Sequence, residues 1–356
     1  MITSNTIVDL VELHKRFWCR TLSRPIINLD CSWSERFGYL PAIPEDWAEK
    51  DGLILKPDML SVDRLQPPPR IIHEKHPLHG EVAFNTWPPY YRIPWLIGMV
   101  GAGLRVSTSS QTIWPEHNIS NRWYELENLG LVPCDEWLEK LLEFLEYVIK
   151  HWYPNTCIPC QDVIGRGPGD LLMGLIGAEE FYLAMHEHPE ELHRLLKKAA
   201  DIYIEWARAQ FELLPQIEGG YCNQYGIWSP GTYIRFQEDF AINISEHHYR
   251  KFLMPHTRRI MTEFDYPVHH THSGFSKICV WLAEIEELKL IEVALDPMGP
   301  SLRQLIPLWN RILQMKNILI YGELTEDQID LLSSELSPGG LWIDVSLKES
   351  EVIRTE

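Results

Sequence analysis

A short run at residues 266–274 carries the side chains of this sequence that are best suited to chemistry, Tyr-Pro-Val-His-His-Thr-His-Ser-Gly. The run favours a strand and stops just before a helical pattern. Side chains alternate along a strand, so His270 and His272 share one face while His269 points to the other. Imidazoles paired in this way commonly bind one metal ion, most often Zn²⁺. We therefore predict a metal site at His270 and His272; the alternative is that both only hydrogen-bond substrate or neighbours.

The composition excludes several classes of partner. The chain has 356 residues and a formal net charge of -18, whereas nucleic acids and anionic membranes bind basic surfaces. No window approaches the ~18 consecutive apolar residues of a membrane span, and the first residues lack the apolar segment of a secretory signal. The seven cysteines are scattered, which suits reduced thiols. We expect a cytoplasmic protein that acts on a small molecule and binds neither nucleic acid nor membrane.

Short apolar segments alternate with helical patterns along most of the chain, which is typical of parallel β-α-β units. An N-terminal helix within residues 1–23 precedes a first strand, and a long irregular insertion follows it over residues 31–120. The predicted strands begin near residues 24, 104, 157, 219, 267, 290, 317 and 340. Eight strands close a (β/α)8 TIM barrel, so we predict one barrel domain over residues 1–356, with residues 240–245 as an extended segment outside the eight. An open doubly wound sheet is the alternative, but no Gly-x-Gly-x-x-Gly follows the first strand.

Polar residues end several of the predicted strands, where the active sites of such barrels lie. They are Asp30, Asp162, Asn223, His270, His272, Asp296, Glu323 and Asp344. We take Asp30, Asp162 and Glu323 as candidate catalytic residues, although Asp296 and Glu323 also stand where helix caps are expected.

Aromatic residues near the strand ends are candidates for substrate binding. Trp33 and Trp228 follow strands and could wall a pocket, as could Tyr225 beside Asn223. The alternative for each aromatic is core packing.

A proline-rich aromatic segment at residues 84–95 is a candidate lid over the barrel mouth, with Tyr91 as a substrate contact. Its prolines at 88, 89 and 94 fit a rigid flank equally well. Two further motifs predict structure rather than chemistry. Cys157 and Cys160 form a lone C-x-x-C, and residues 165–169, Gly-Arg-Gly-Pro-Gly, predict a tight turn before a helix.

Several motifs together resemble the uroporphyrinogen decarboxylase superfamily, which includes cobalamin-dependent methyltransferases. The resemblance covers most of the chain. It is carried by Phe-Trp-Cys-Arg-Thr-Leu-Ser-Arg-Pro-Ile-Ile at 17–27, Gly-Pro-Gly-Asp-Leu-Leu-Met-Gly-Leu-Ile-Gly at 167–177, the helix opened by Glu190 after Pro189, Ser229-Pro230, Ser245 with the helix to Pro255, and His-Thr-His-Ser-Gly at 270–274.

The resemblance implies zinc, with departures from the family pattern. The methyltransferases bind zinc through His-x-Cys-Gly, where this chain has His272 in place of the cysteine. Their later Cys-Gly is absent, so Asp344 or Glu323 is implied as the third ligand, which gives a two-histidine, one-carboxylate set. The decarboxylases grip porphyrinogen carboxylates with an Arg-Gln-Ala-Gly-Arg-Tyr segment, where this chain has only Arg36 within residues 31–38. A substrate with eight carboxylates is therefore disfavoured.

From the resemblance we expect a zinc-dependent methyltransferase that transfers a methyl group from a methyl-corrinoid, with a corrinoid protein as a partner. Two alternatives stay open. One is a decarboxylase or related lyase in which Asp30 or Asp162 stabilises the cationic form of the substrate. The other is a barrel that binds a ligand without catalysis.

Overall fold

The computed structural model describes residues 4–29, 51–65, 82–88, 93–107, 112–116, 134–162 and 165–348. The strands are β1 Ile26–Leu29, β2 Ile54–Leu55, β3 Thr86–Trp87, β4 Gly103–Ser107, β5 Thr112–Glu116, β6 Ile158–Pro159, β7 Tyr221–Cys222, β8 Trp228–Ser229, β9 Tyr233–Gln237, β10 Tyr266–His272, β11 Leu290–Ala294, β12 Asn317–Leu324 and β13 Leu341–Leu347. Six of them form a parallel central sheet in the order β1-β13-β12-β11-β10-β9. A second parallel pair joins β3 to β6.

The helices connect and cover these strands. They are α1 Ser4–Trp18, α2 Trp95–Met99, α3 Asp135–His151, α4 Pro168–Ile176, α5 Ala178–Glu187, α6 Pro189–Leu213, α7 Glu246–His248, α8 Met254–Met261, α9 Ser276–Ala283, α10 Leu302–Leu313 and α11 Glu326–Glu335. A π-helical turn, Tyr249–Leu253, joins α7 to α8, and 3₁₀ turns follow β9 at Asp239–Asn243 and β10 at Ser273–Phe275. Capping boxes at Ser301 and Thr325 start α10 and α11 by satisfying free backbone N–H groups.

The central sheet is buried on both faces, as parallel sheets are when helices cover them. One face packs Val268, Leu290, Leu319 and Trp342 against Phe17 of α1. The opposite face belongs to the main core with the helices, where the sheet contributes Ile234, Phe236, Ile291, Val293, Ile318, Ile320 and Ile343. On this first face, the polar side chains follow these apolar residues toward the C-terminal ends of the strands. The candidate site therefore lies next to an apolar layer.

Two of the predicted barrel strands are wrong. β4, near residue 104, pairs antiparallel with β2 and β5 in a separate sheet, and β7, near residue 219, pairs antiparallel with β8. The burial pattern explains the first error, because Leu104 and Val106 are buried while Arg105 is exposed, and a strand with one solvated face suits an antiparallel sheet. Gly226, at φ +72°, lies in the turn between β7 and β8.

Two parallel strands were not predicted. β9 is buried at every position and pairs with β10 in the central sheet, and β3 pairs with β6. The extended segment expected at residues 240–245 is also wrong, since the 3₁₀ turn Asp239–Asn243 occupies most of it. The parallel α/β architecture of the prediction is confirmed, with a different assignment of strands.

The described part of the segment at residues 84–95 is packed into the protein. Trp87 and Trp95 are buried, and the Trp95 ring meets Trp137 and Phe144 edge-on at centroid distances of 6.1 and 5.6 Å. These residues fit the rigid-flank alternative, whereas Tyr91 lies outside the described residues. Asp30 and Trp33 also lie outside them.

None of the helices in the described ranges combines the length and the apolar character needed to cross a membrane.

Candidate metal centre

His270 and His272 lie at the C-terminal end of β10 with their Nε2 atoms 3.3 Å apart. Nδ1 of His270 is 3.0 Å from Oε1 of Glu292, and Nδ1 of His272 is 2.7 Å from Oδ1 of Asp296. An ionised carboxylate can only accept a hydrogen bond, so each Nδ1 carries the hydrogen and donates it. Both Nε2 atoms then direct lone pairs at one another, an arrangement that a cation between them stabilises.

The spacing of the two nitrogens fits a single ion. At Zn–N distances of ~2.0–2.1 Å, two nitrogens on a tetrahedral zinc lie about 3.3 Å apart. The carboxylates behind the rings form the carboxylate–histidine pairs that usually orient metal-binding imidazoles. The two histidines therefore each direct an Nε2 atom at one point.

Asp239 adds a carboxylate to the pair. One of its oxygens and one ring nitrogen from each histidine all lie within 4.8 Å of one another. Oδ2 of Asp239 accepts from Gln237 Nε2 at 2.5 Å and from Arg166 Nη1 at 3.2 Å. Oδ1 is buried and has no hydrogen-bond partner within the described ranges. A buried carboxylate oxygen without a donor is costly, and a bound cation would satisfy it.

The protonation states favour metal binding. Burial and the Arg235 guanidinium lower the pKa of His270, against the opposing effect of Glu292, so His270 is neutral near pH 7. Burial alone would raise the pKa of Glu292, but Arg235 and His270 outweigh it and bring that pKa to about 2. Burial likewise opposes ionisation of Asp239, yet the two imidazoles and Arg166 hold its pKa below the usual value.

The glycines of residues 165–169 bring Arg166 to Asp239. A Cβ at Gly165 would stand 2.1 Å from the backbone oxygen of Arg235, so only glycine allows this approach. The segment bonds to β9 on both sides of Arg166: Gly167 N–H donates to Gln237 O at 2.8 Å, and Gln237 N–H donates to Gly165 O at 3.0 Å. The predicted tight turn is thus also a short extension of the sheet, and it places the Arg166 guanidinium beside Asp239.

The residues predicted as third ligand or catalytic acid lie elsewhere. Oδ2 of Asp344, on β13, accepts from Asn28 Nδ2 at 2.9 Å and from Trp342 Nε1 at 3.2 Å. In the central sheet, β11 and β12 lie between β13 and β10. Glu323 is exposed and lines a cavity of about 660 Å³, whose lining also includes Asp296, but Glu323 is not part of the ligand group. Asp162 is buried beyond β6, where its backbone N–H donates to Gln210. The ligand group formed by the described residues contains none of the three.

The predicted substrate contacts divide into two kinds. Asn223 caps the turn between β7 and β8, where its Oδ1 accepts from the N–H groups of Tyr225 and Ile227. Trp228 is buried, and its Nε1 donates to the Ile217 carbonyl. Tyr225 approaches the centre through Tyr321, whose ring lies 5.6 Å from Tyr225 and 5.9 Å from His270. Their roles in substrate binding stay predictions.

Sequence reasoning missed Asp239, Glu292, Arg235 and Arg166. Glu292 and Arg235 did carry a signal, since each is the one charged residue in its strand, and a charge buried in a strand needs a partner. They form that pair with Nε of Arg235 2.9 Å from Oε1 of Glu292. Asp239 carried no such signal, because it stands in a polar Gln-Glu-Asp run.

Comparison with known proteins supports the fold. No family model matches the sequence, and no curated protein matches it. Among solved structures, a methyltransferase from Methanosarcina mazei is similar, with a TM-score of 0.61 over 98% of this chain and 93% of that chain at 14% sequence identity. Likeness at this identity establishes fold alone. The chain thus has a fold similar to that of this solved structure, with a parallel central sheet.

Proposed function

We propose that this protein is a zinc-dependent methyltransferase of the uroporphyrinogen decarboxylase superfamily, which transfers a methyl group from a methyl-corrinoid to a small acceptor. The observation that carries the proposal is the convergence of two facing Nε2 atoms, from His270 and His272, with the unpartnered Oδ1 of Asp239. The fold shared with the Methanosarcina methyltransferase and the motif resemblance support the reaction class.

The donor set favours zinc. Two neutral imidazoles and one carboxylate are a common three-ligand set for catalytic zinc, which keeps a fourth position for water or substrate. When bound, zinc supplies a Lewis acid that lowers the pKa of an acceptor's heteroatom and holds it as a nucleophile. A set with a single negative charge leaves the centre net positive, which favours an acceptor in its deprotonated form.

The surrounding residues hold this ligand set in place. Glu292 and Asp296 accept the Nδ1 hydrogens and so keep both Nε2 lone pairs directed inward. Arg166 and Gln237 donate hydrogen bonds to Oδ2 of Asp239, which leaves Oδ1 to bind the ion. Because these hydrogen bonds already orient the metal-binding atoms, little reorganisation is needed when the ion binds.

We also propose that the parallel strands close into an eight-stranded barrel. The eight would be β1, β3, β6 and β9 through β13. The bridge from Arg166 to Gln237 supports closure, because it places the segment after β6 beside β9. In such a barrel the metal group lies at the mouth, where a corrinoid held by a partner protein could cover it.

Metal analysis combined with paired variants tests the function. Protein purified without chelator should hold about one zinc per chain, and His270→Ala/His272→Ala should lose it. Asp239→Asn should weaken zinc binding by at least about 10-fold, while Asp344→Asn, a matched change at another buried carboxylate, should leave it unchanged. Methyl transfer from methylcobalamin to candidate thiols and amines should follow zinc content.

Two outcomes would overturn the proposal. One is full methyl transfer by metal-free protein. The other is zinc that survives the double histidine variant with unchanged affinity. Release of carbon dioxide from uroporphyrinogen or coproporphyrinogen, without methyl transfer, would favour the decarboxylase instead.

A further inference from the structure

A continuous chain of hydrogen bonds runs beneath the proposed centre from one ligand to another. Gln237 Nε2 donates to Asp239 Oδ2 at 2.5 Å, and Gln237 Oε1 accepts from Arg235 Nη1 at 2.9 Å. Arg235 Nε donates to Glu292 Oε1 at 2.9 Å and Oε2 at 3.1 Å. Glu292 Oε1 accepts from His270 Nδ1 at 3.0 Å. Asp239 and His270 are thus linked through three intervening side chains.

The middle of this chain is shielded from solvent. Arg235 and Gln237 are buried, and the side chain of Glu292 is fully buried. Gln224 adds a longer contact of 3.4 Å to Glu292 Oε2, and the Tyr233 hydroxyl donates to Gln224. Buried networks with satisfied partners are rigid, so the orientation of one member constrains the next.

Arg235 gives the chain a fixed direction because a guanidinium donates and cannot accept. Toward Asp239, Nη1 of Arg235 donates to the oxygen of the Gln237 amide. The NH₂ group of that amide therefore faces the Asp239 carboxylate. Toward His270, it donates to Oε1 of Glu292, the same oxygen that faces His270 Nδ1, so this oxygen can only accept and His270 must carry its hydrogen on Nδ1. Both outcomes leave an atom free for a metal, Oδ1 of Asp239 and Nε2 of His270.

We propose that Arg235 is a positioning residue that sets the tautomer of His270 through Glu292 and the orientation of Asp239 through Gln237. The proposal rests on the metal centre described above. In this role Arg235 acts through Glu292 and Gln237, and it determines which atoms the ligands present.

The near-isosteric change Glu292→Gln, alone and combined with Arg235→Met, tests the direction of the chain. Oε1 of Glu292 accepts from both Arg235 and His270, so in Glu292→Gln the guanidinium should hold the amide oxygen at that position and His270 should keep its hydrogen on Nδ1. NMR of isotope-labelled histidine rings in metal-free protein reports the tautomer. Zinc affinity should fall by no more than ~10-fold, because the ligand nitrogen keeps its lone pair.

Adding Arg235→Met to Glu292→Gln removes the donor that orients the amide. The amide can then turn its NH₂ group to His270, so a large share of the rings should carry the hydrogen on Nε2, and zinc affinity should fall by a further ~10-fold or more. A single Nδ1–H tautomer in both variants would overturn the proposal, because the orientation would then not depend on Arg235. A switch to the Nε2–H tautomer in Glu292→Gln alone, with the guanidinium still present, would overturn it as well.

Gln237→Met keeps the proposal testable if the Glu292 variants fail to fold. It should weaken zinc binding by ~10-fold, while Gln210→Met, a change at another buried glutamine, should leave zinc affinity unchanged. Equal zinc affinity in Gln237→Met and Gln210→Met would contradict the proposed positioning of Asp239 through Gln237. The tautomer is read without metal or turnover, so its result is separate from the zinc content that tests the proposed function.

Discussion

At the scale of single residues, the spacing of two histidines on one strand predicted the relative orientation of their side chains. His270 and His272 share a face, as the alternation of a strand requires, and their Nε2 atoms meet. The proposed third ligand could not be found in this way. Asp239 follows a different strand, and the resemblance pointed to Asp344 or Glu323 instead. A sequence gives the face of a residue within its own element, whereas a ligand group depends on how separate strands are aligned.

A residue far from the centre gives a pH prediction. His14 is buried, its Nδ1 accepts from Trp228 N–H at 2.8 Å, and its Nε2 contacts Val82 O at 2.7 Å. Burial lowers the pKa of His14 to about 4, only partly opposed by the bond to Val82. The unfolded chain, with a pKa near 6.5, then binds the proton more strongly. The stabilising effect is complete above about pH 6.5 and is lost as pH falls toward 4.

We expect His14 to make the unfolding free energy about 2 kcal/mol lower at about pH 5 than at about pH 7.5. Denaturant unfolding of the protein and of His14→Gln at both values measures this, because glutamine can donate and accept but does not titrate. The variant should lose less stability on acidification. An identical pH dependence in both proteins would exclude the effect, and His151→Gln, at an exposed histidine, serves as the control.

At the scale of elements, the pattern of burial separated strands that sequence reasoning confused. The parallel strands β10 to β13 were predicted because short strand-favouring segments alternate with helical patterns in this part of the chain. β9 was missed because arginine and glutamine interrupt it, and these two residues form the polar chain beneath the centre. β4 and β7 were misassigned because a short apolar run carries no information about its partner strand.

The glycine segment before α4 supports a prediction at this scale. Gly165→Ala should destabilise the fold by ~1–3 kcal/mol, because its Cβ would press on the Arg235 carbonyl. It should also weaken zinc binding, since Arg166 would move away from Asp239. Thermal unfolding and zinc titration measure the two effects.

Gly219→Ala is the matched control for that change. Gly219 has φ +76° and open space around its Cβ position, so alanine there should cost ~1–2 kcal/mol of backbone strain without altering zinc affinity. Normal zinc binding by Gly165→Ala would mean that this segment supports the fold and not the centre.

At the scale of the whole molecule, an acidic protein surrounds the proposed metal centre. The net charge of -18 attracts divalent ions and repels polyanionic substrates. Within the centre, Arg166 and Arg235 offset the carboxylates that orient the ligands. The class of fold could be predicted from the alternation of strands and helices, and the similar methyltransferase agrees with it. The residues that make up the centre could be identified only from the three-dimensional arrangement.

Anomalous diffraction at the zinc edge, from crystals of protein prepared without chelator, tests the central claim most directly. We predict one strong peak ~2.0–2.1 Å from Nε2 of both His270 and His272 and ~2.0–2.2 Å from Oδ1 of Asp239. A zinc ion ligated by Asp344 or Glu323 instead of Asp239, or the absence of a peak beside His270 and His272 in crystals soaked with zinc, would contradict the account.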